Sequence, residues 1–223
     1  MQFSEQHEQL GLDFSFATAV AFKRSARRGR RLYVMDTANQ PVTASSTQRA
    51  QPSEAPRASE LMHSLMRYKA WADADLLRAA IALPAIATAP EGGYVTAIIR
   101  HFHTVDCIFR AHLLAIPHPY TSPNPPEPTT LSELQPDVTA IDAWYVEYAR
   151  NLDERALGEV LCVTFTDGQQ QVLTRSDILV HVSLHGAGHR AQVGLLFRML
   201  GADPPPDRFT NYIREPHEAF ERR

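Results

Sequence analysis

The sequence predicts an all-α fold: an up-down-type four-helix bundle with a long helix 2–3 crossing loop and a small β-hairpin before the last helix. Three observations carry this reading. Apolar residues recur at helical spacing in four separate segments. Seven prolines between Pro117 and Pro136 are too dense for helix or central strand. Finally, the segment from Cys162 to Thr174 switches to alternation around Asp167-Gly168, a two-residue hairpin signal.

The elements follow in order. Residues 1–57 read as a flexible extension. Six of the nine residues from Lys23 to Arg31 are basic, and a stretch rich in Thr, Ala, Ser, Gln and Pro follows. A secretory signal would place its charges before the apolar run, but Phe14–Phe22 precedes them, and Glu5, Glu8 and Asp13 argue against a transit peptide. Residues 58–216 are expected to form the bundle, with 217–223 as a tail. The first helix spans about Ala58 to Ala82, with Leu61, Leu65, Tyr68, Trp71 and Leu76 as its pattern, and ends before Pro84. The second runs from about Tyr94 to Ile116, with Val95, Ile98, Phe102, Val105, Phe109 and Leu113 on one face. The third is expected from Val138 to Asp153, anchored by Ile141, Trp144, Tyr145 and Tyr148. Thr174 and Asp177 have capping-box spacing and open the fourth, which ends at Gly201 ahead of Pro204–Pro206.

The bulk numbers bound the function. A net charge of −3 over 223 residues gives no reason to expect a nucleic-acid partner or an anionic membrane surface. No apolar run approaches the roughly 18 residues that span a bilayer. The two cysteines, Cys107 and Cys162, follow no metal or redox spacing and agree with a reducing, cytoplasmic setting.

The chemistry lies in the last helix. Ile178, Val182, Val193, Leu196 and Leu200 define an apolar stripe, with His185 and His189 near its middle and His181 toward one side. Two adjacent buried imidazoles without partners would each cost about 1–3 kcal/mol. A shared metal ion removes that cost, because positions i and i+4 share a helix face. Gly186 and Gly188 occupy the same turns although glycine weakens a helix by about 1 kcal/mol relative to alanine, which would allow another helix or a ligand to come close. The second helix offers a third ligand, and spacing alone leaves His101 and His103 both open. Three histidines leave a position for water or substrate, the open geometry of a catalytic site. Gly186 stands where HExxH metalloproteases carry their general base, so peptide hydrolysis lacks its usual base.

These residues resemble the DinB-like family of metal-binding four-helix bundles, which is related to thiol-dependent S-transferases and maleylpyruvate isomerase-like proteins. The family pattern HxxxHRxQ reads here His185-Gly-Ala-Gly-His189-Arg190-Ala-Gln192. A ligand histidine followed five residues on by aspartate and then an aromatic reads His101, Asp106, Phe109, a spacing that His103 does not fit. Tyr68 and Trp71-Ala72 match the first-helix signature, although Asp73 stands for the usual Asn and Ala191 for the usual Gly. The resemblance covers about residues 60–216. It implies His101, His185 and His189 as ligands of a divalent ion, zinc or nickel first, and for some members a low-molecular-weight thiol as second cofactor. A metal-dependent thiol S-transferase or isomerase acting on small electrophiles is the implied activity. The alternative is a non-catalytic metal-binding stress or damage-response protein. A small-molecule substrate is expected as partner, and a homodimer is allowed. From its helical direction, Arg190 is expected at the surface or in packing, and Gln192 nearer the ligand side, in reach of a hydrogen bond to a group behind the ligands.

Overall fold

The computed structural model describes residues 57–214. The expected extension over 1–57, Arg57 excepted, and the tail over 217–223 lie outside the described residues. Helix α1, Ala58–Ala82, follows the predicted periodicity and stops where Pro84 opens a short helix α2, Pro84–Thr88. Helix α3, Pro90–Leu114, starts earlier than expected because Pro90 takes a first-turn position, where its missing N–H is harmless. It closes on Ala115 in the left-handed region, φ 54°, just ahead of Pro117.

Helix α4 differs more. It spans Leu131–Arg150 and so begins seven residues before the expected Val138. A capping box overrides the proline signal: Thr130 Oγ1 accepts from the Glu133 N–H at 3.3 Å, and Glu133 Oε2 accepts from the Thr130 N–H at 2.8 Å. Pro136 is carried inside the helix on its exposed side, forgoing one backbone bond. A single turn, α5, Glu154–Leu157, then leads to the antiparallel strands β1, Val160–Thr164, and β2, Gln170–Thr174. Five residues, 165–169, connect them, where a two-residue turn was expected. The Gly168 N–H bonds to the Phe165 carbonyl at 2.9 Å, and Gly168 takes φ 84°, a left-handed position that suits glycine. Thr174 caps helix α6, Arg175–Met199, through the expected box with Asp177. The last described element is α7, Phe209–Arg214.

The four long helices surround the core, α1 against α4 and α6, and α3 against α6 and α4. Two apolar clusters give their directions. One gathers Met66, Phe109, Tyr145 and Ile178; the other gathers Leu77, Phe102, Val138 and Phe197. Along α1 and α6 the chain passes from the first cluster to the second, and along α3 and α4 it passes back. The bundle therefore runs up, down, down, up. Two parallel neighbours cannot be joined by a tight turn, which is why the segment from α3 to α4 is long. No helix among the described residues is long and apolar enough to cross a membrane.

Candidate metal centre

On α6 the buried seam is Ile178, Leu179, Val182, Ser183, Gly186, Arg190, Val193 and Phe197. Its centre is Gly186 and Arg190, because glycine and a neutralised arginine occupy seam positions that a tally of apolar residues passes over. His185 and His189 are half-buried on the flank of the seam, not at its middle, and they face α3. There His101 meets them. Its Nε2 lies 3.3 Å from His185 Nε2, and His189 Nε2 lies 3.0 Å from the same atom. Imidazole–metal bonds of about 2.0–2.1 Å place neighbouring donor atoms about 2.9–3.4 Å apart, so the three rings fit a single divalent ion. The three can hold a metal ion.

The other ring nitrogens orient this set. His101 Nδ1 donates to the Asn124 side-chain oxygen at 2.9 Å, and His189 Nδ1 donates to Gln192 Oε1 at 2.8 Å. Each bond puts the ring proton on Nδ1 and leaves an Nε2 lone pair aimed inward. Burial pushes the His185 imidazole down to about 3, and the His189 and His101 rings add to the fall. Burial lowers His101 and His189 as well. All three are therefore neutral near pH 7, the state a metal requires. His185 Nδ1 is buried without a hydrogen-bond partner among the described residues.

The remaining candidates fall elsewhere. His103 is buried and turns its Nε2 toward Cys107 Sγ at 3.7 Å, away from the three rings. His181 stacks on His185 with ring centroids 5.4 Å apart and packs on Phe109 at 4.7 Å. It is a neighbour of the cluster, outside the three. Burial raises the Cys107 thiol, which keeps it from acting as a thiolate.

A family model described as "DinB family" matches residues 57–219. The chain belongs to the DinB family. No curated relative and no solved structure matches it significantly.

Beneath the histidines this DinB-family bundle carries a feature that the sequence reading passes over. Lys69 Nζ, 1% exposed, lies 2.8 Å from Asp73 Oδ2, 2.7 Å from Asp106 Oδ2 and 2.5 Å from Asp142 Oδ1. Arg190 Nη1 meets the other Asp73 oxygen at 2.8 Å, while its Nε meets Asp207 at 2.8 Å. Tyr68 donates to Asp207 in turn. This layer separates the two apolar clusters, and each long helix contributes to it. It corrects the surface placement among the expectations for Arg190: the side chain is 1% exposed and paired with Asp73 and Asp207 inside the bundle. It also explains Gly186, where a Cβ would stand 3.2 Å from Arg190 Nη1 and 3.7 Å from Lys69 Cε. The close approach is by Lys69 of α1. A Cβ at Gly188 would meet open space.

The layer was legible as a phase. Met66, Lys69, Asp73, Leu76 and Ala80 are spaced three and four apart, as are Phe102, Asp106, Phe109 and Leu113. Charged residues that keep step with an apolar seam are buried with it. Asn124, by contrast, had no readable signal, because nothing in a proline-rich loop says which side chain returns to the bundle.

Three fully buried carboxylates face two fully buried cations, and burial pushes Asp142 up to about 8 and Asp106 up to about 6. Lys69 opposes both shifts, while the neighbouring carboxylates favour them. Burial thus makes Asp142 and Asp106 easier to protonate than ordinary carboxylates.

Proposed function

We propose that this DinB-family protein binds one divalent ion through His101, His185 and His189, zinc or nickel first, and uses it in a thiol-dependent transfer or isomerisation on a small electrophile. The observation that supports this reading is the convergence of three Nε2 atoms whose outer nitrogens are set by Asn124 and Gln192. A bound ion with one coordination position left open supplies Lewis acidity and lowers the pKa of a thiol or water held there. The protein's own share is orientation. Asn124 and Gln192 fix the ring tautomers of His101 and His189, the His181 ring stacked on His185 covers part of that imidazole, and the buried layer ties α1 to α6 through Asp73 and Arg190. Gly186, at the position of the usual hydrolytic base, favours a reaction whose nucleophile is brought by the substrate.

The test is metal loading followed by turnover. Elemental analysis of the reconstituted protein is expected to give about one zinc or nickel per chain. Transfer of a low-molecular-weight thiol to an electrophile is expected with the metal and not after chelation. Negligible metal after reconstitution would sink the site, and a loaded protein inert toward thiols and electrophiles would leave a metal-binding protein without catalysis.

A further inference from the structure

Helix α6 is apolar on the side turned to solvent as well as on the side turned to the core. Leu184, Leu195 and Met199 are 66%, 60% and 63% exposed, and Gly188 and Ala191 are exposed between them. At 100° per residue these five positions fall within one arc of about 80° on the helix surface. Between Ile178 and Phe197 the helix has one charged residue, Arg190, and it is buried. The solvent face of α4 is the contrast, carrying Glu133, Asp137, Glu147 and Arg150. A helix apolar on its solvent face as well as its core face calls for a cover on both.

The order of residues along the stripe says what covers it. Reversal about the midpoint between residues 189 and 190 exchanges Leu184 with Leu195 and Gly188 with Ala191. The stripe is its own complement when read backward. We propose that α6 pairs antiparallel with α6 of a second copy of this chain, about a two-fold axis at that midpoint. The small residues then sit at the axis, where two helices approach most closely, and the leucines pack outward of it. Such an isologous contact uses one patch twice.

Charge agrees with the direction. Asp177, exposed near the start of α6, and Arg198, exposed near its end, approach each other across the antiparallel pair, twice over. A parallel pair would set Arg198 against Arg198. Antiparallel helices also align their dipoles favourably. The seam from Val180 to Met199 is about 30 Å long. One helix pair of this length is small against the roughly 800 Å² per partner of a standard stable interface, so the dimer is expected to dissociate on dilution in the micromolar range.

The full-length chain is to be followed by sedimentation from about 1 to 100 μM. The expected result is a concentration-dependent rise toward twice the 25.0 kDa chain mass. Leu195→Glu and Leu184→Glu are expected to weaken dimerisation at least tenfold while leaving helical circular dichroism unchanged, because both side chains are exposed. In a Cys162→Ser background, Leu184→Cys and Leu195→Cys chains are expected to crosslink when mixed, and neither alone. A monomer throughout the range overturns the proposal, and so does a dimer that survives both glutamates. Equal crosslinking of each cysteine variant with itself overturns the antiparallel order. A monomer whose residues 1–56 become protease-sensitive only in Leu195→Glu would instead assign the stripe to the chain's own N-terminal segment. None of these outcomes depends on metal loading, so failure here is distinct from failure of the metal site.

Discussion

The side-chain oxygen of Asn124 accepts a hydrogen bond from His101 Nδ1 at 2.9 Å, which ties the crossing loop between α3 and α4 to the candidate metal centre. Arg100, one residue earlier on α3, donates to the carbonyls of Pro125 and Glu127, so the loop is held just past Asn124. Outer hydrogen bonds of this kind typically contribute about 10- to 100-fold to metal affinity. Asn124→Ala is expected to weaken zinc binding by about that factor with little change in melting temperature. Competition with a chromophoric chelator measures it, and unchanged affinity would remove Asn124 from the site.

The three rings separate from their neighbours by substitution. His101→Ala, His185→Ala and His189→Ala are each expected to reduce bound metal from about one per chain to near zero. His103→Ala and His181→Ala are expected to retain it, since neither ring belongs to the converging set. Metal lost in His103→Ala and kept in His101→Ala would reverse the assignment on α3.

Protons compete with the metal in a definite direction. Burial and neighbouring rings hold His185 at about 3, below the ordinary 6.5, and burial lowers the other two. The unfolded chain therefore takes up protons before the folded one as pH falls below about 6.5. These groups stabilise the metal-free fold above that pH, and their contribution is lost as pH falls toward about 3. Bound metal is expected to persist to a lower pH than ordinary histidines would allow. Metal release with a midpoint at or above 6.5 would contradict the buried, neutral state.

The buried layer has the opposite sign. Asp142 is pushed up to about 8 chiefly by burial, whereas in the unfolded chain it titrates near its ordinary 3.8. Its contribution is full below 3.8 and is lost as pH rises through about 8. Asp142→Asn is expected to be tolerated near pH 7 and to unfold less readily than the parent at pH 9. Urea denaturation at the two pH values measures this, and an Asn variant markedly weaker at both would show that Asp142 is ionised throughout.

Lys69→Ala is expected to behave differently, because it leaves three buried carboxylates around an empty centre. Breaking a buried ionic group by removing one partner typically costs about 3–5 kcal/mol. A loss below about 1 kcal/mol in a denaturant titration would mean that water already reaches the layer.

Much of the fold and part of the site were legible in the sequence. Apolar spacing marked the four long helices, and the Thr174–Asp177 box marked where α6 begins. The start of α4 was misplaced because proline density outweighed the Thr130–Glu133 box, although the box alone decides that end. His185 and His189 could be paired because one helix carries both. Joining His101 to them needed the packing of α3 on α6, which periodicity alone does not supply. Lys69, Asp142 and Asp207 escaped because a charge is read as solvent-facing unless its phase is compared with that of its apolar neighbours.

The layer also has a consequence for how this chain finds its fold. Sliding one helix past the others by a single turn would bring leucine against leucine at little cost in the apolar clusters, but it would strand Lys69 or a carboxylate in a dry interior. Compact states with shifted helices are thereby penalised by several kcal/mol, while the native alignment is not. His101 and the α6 histidines sit on helices aligned by those charges. The rim around them is thus open to change over evolutionary time without loss of the alignment that brings the three rings together.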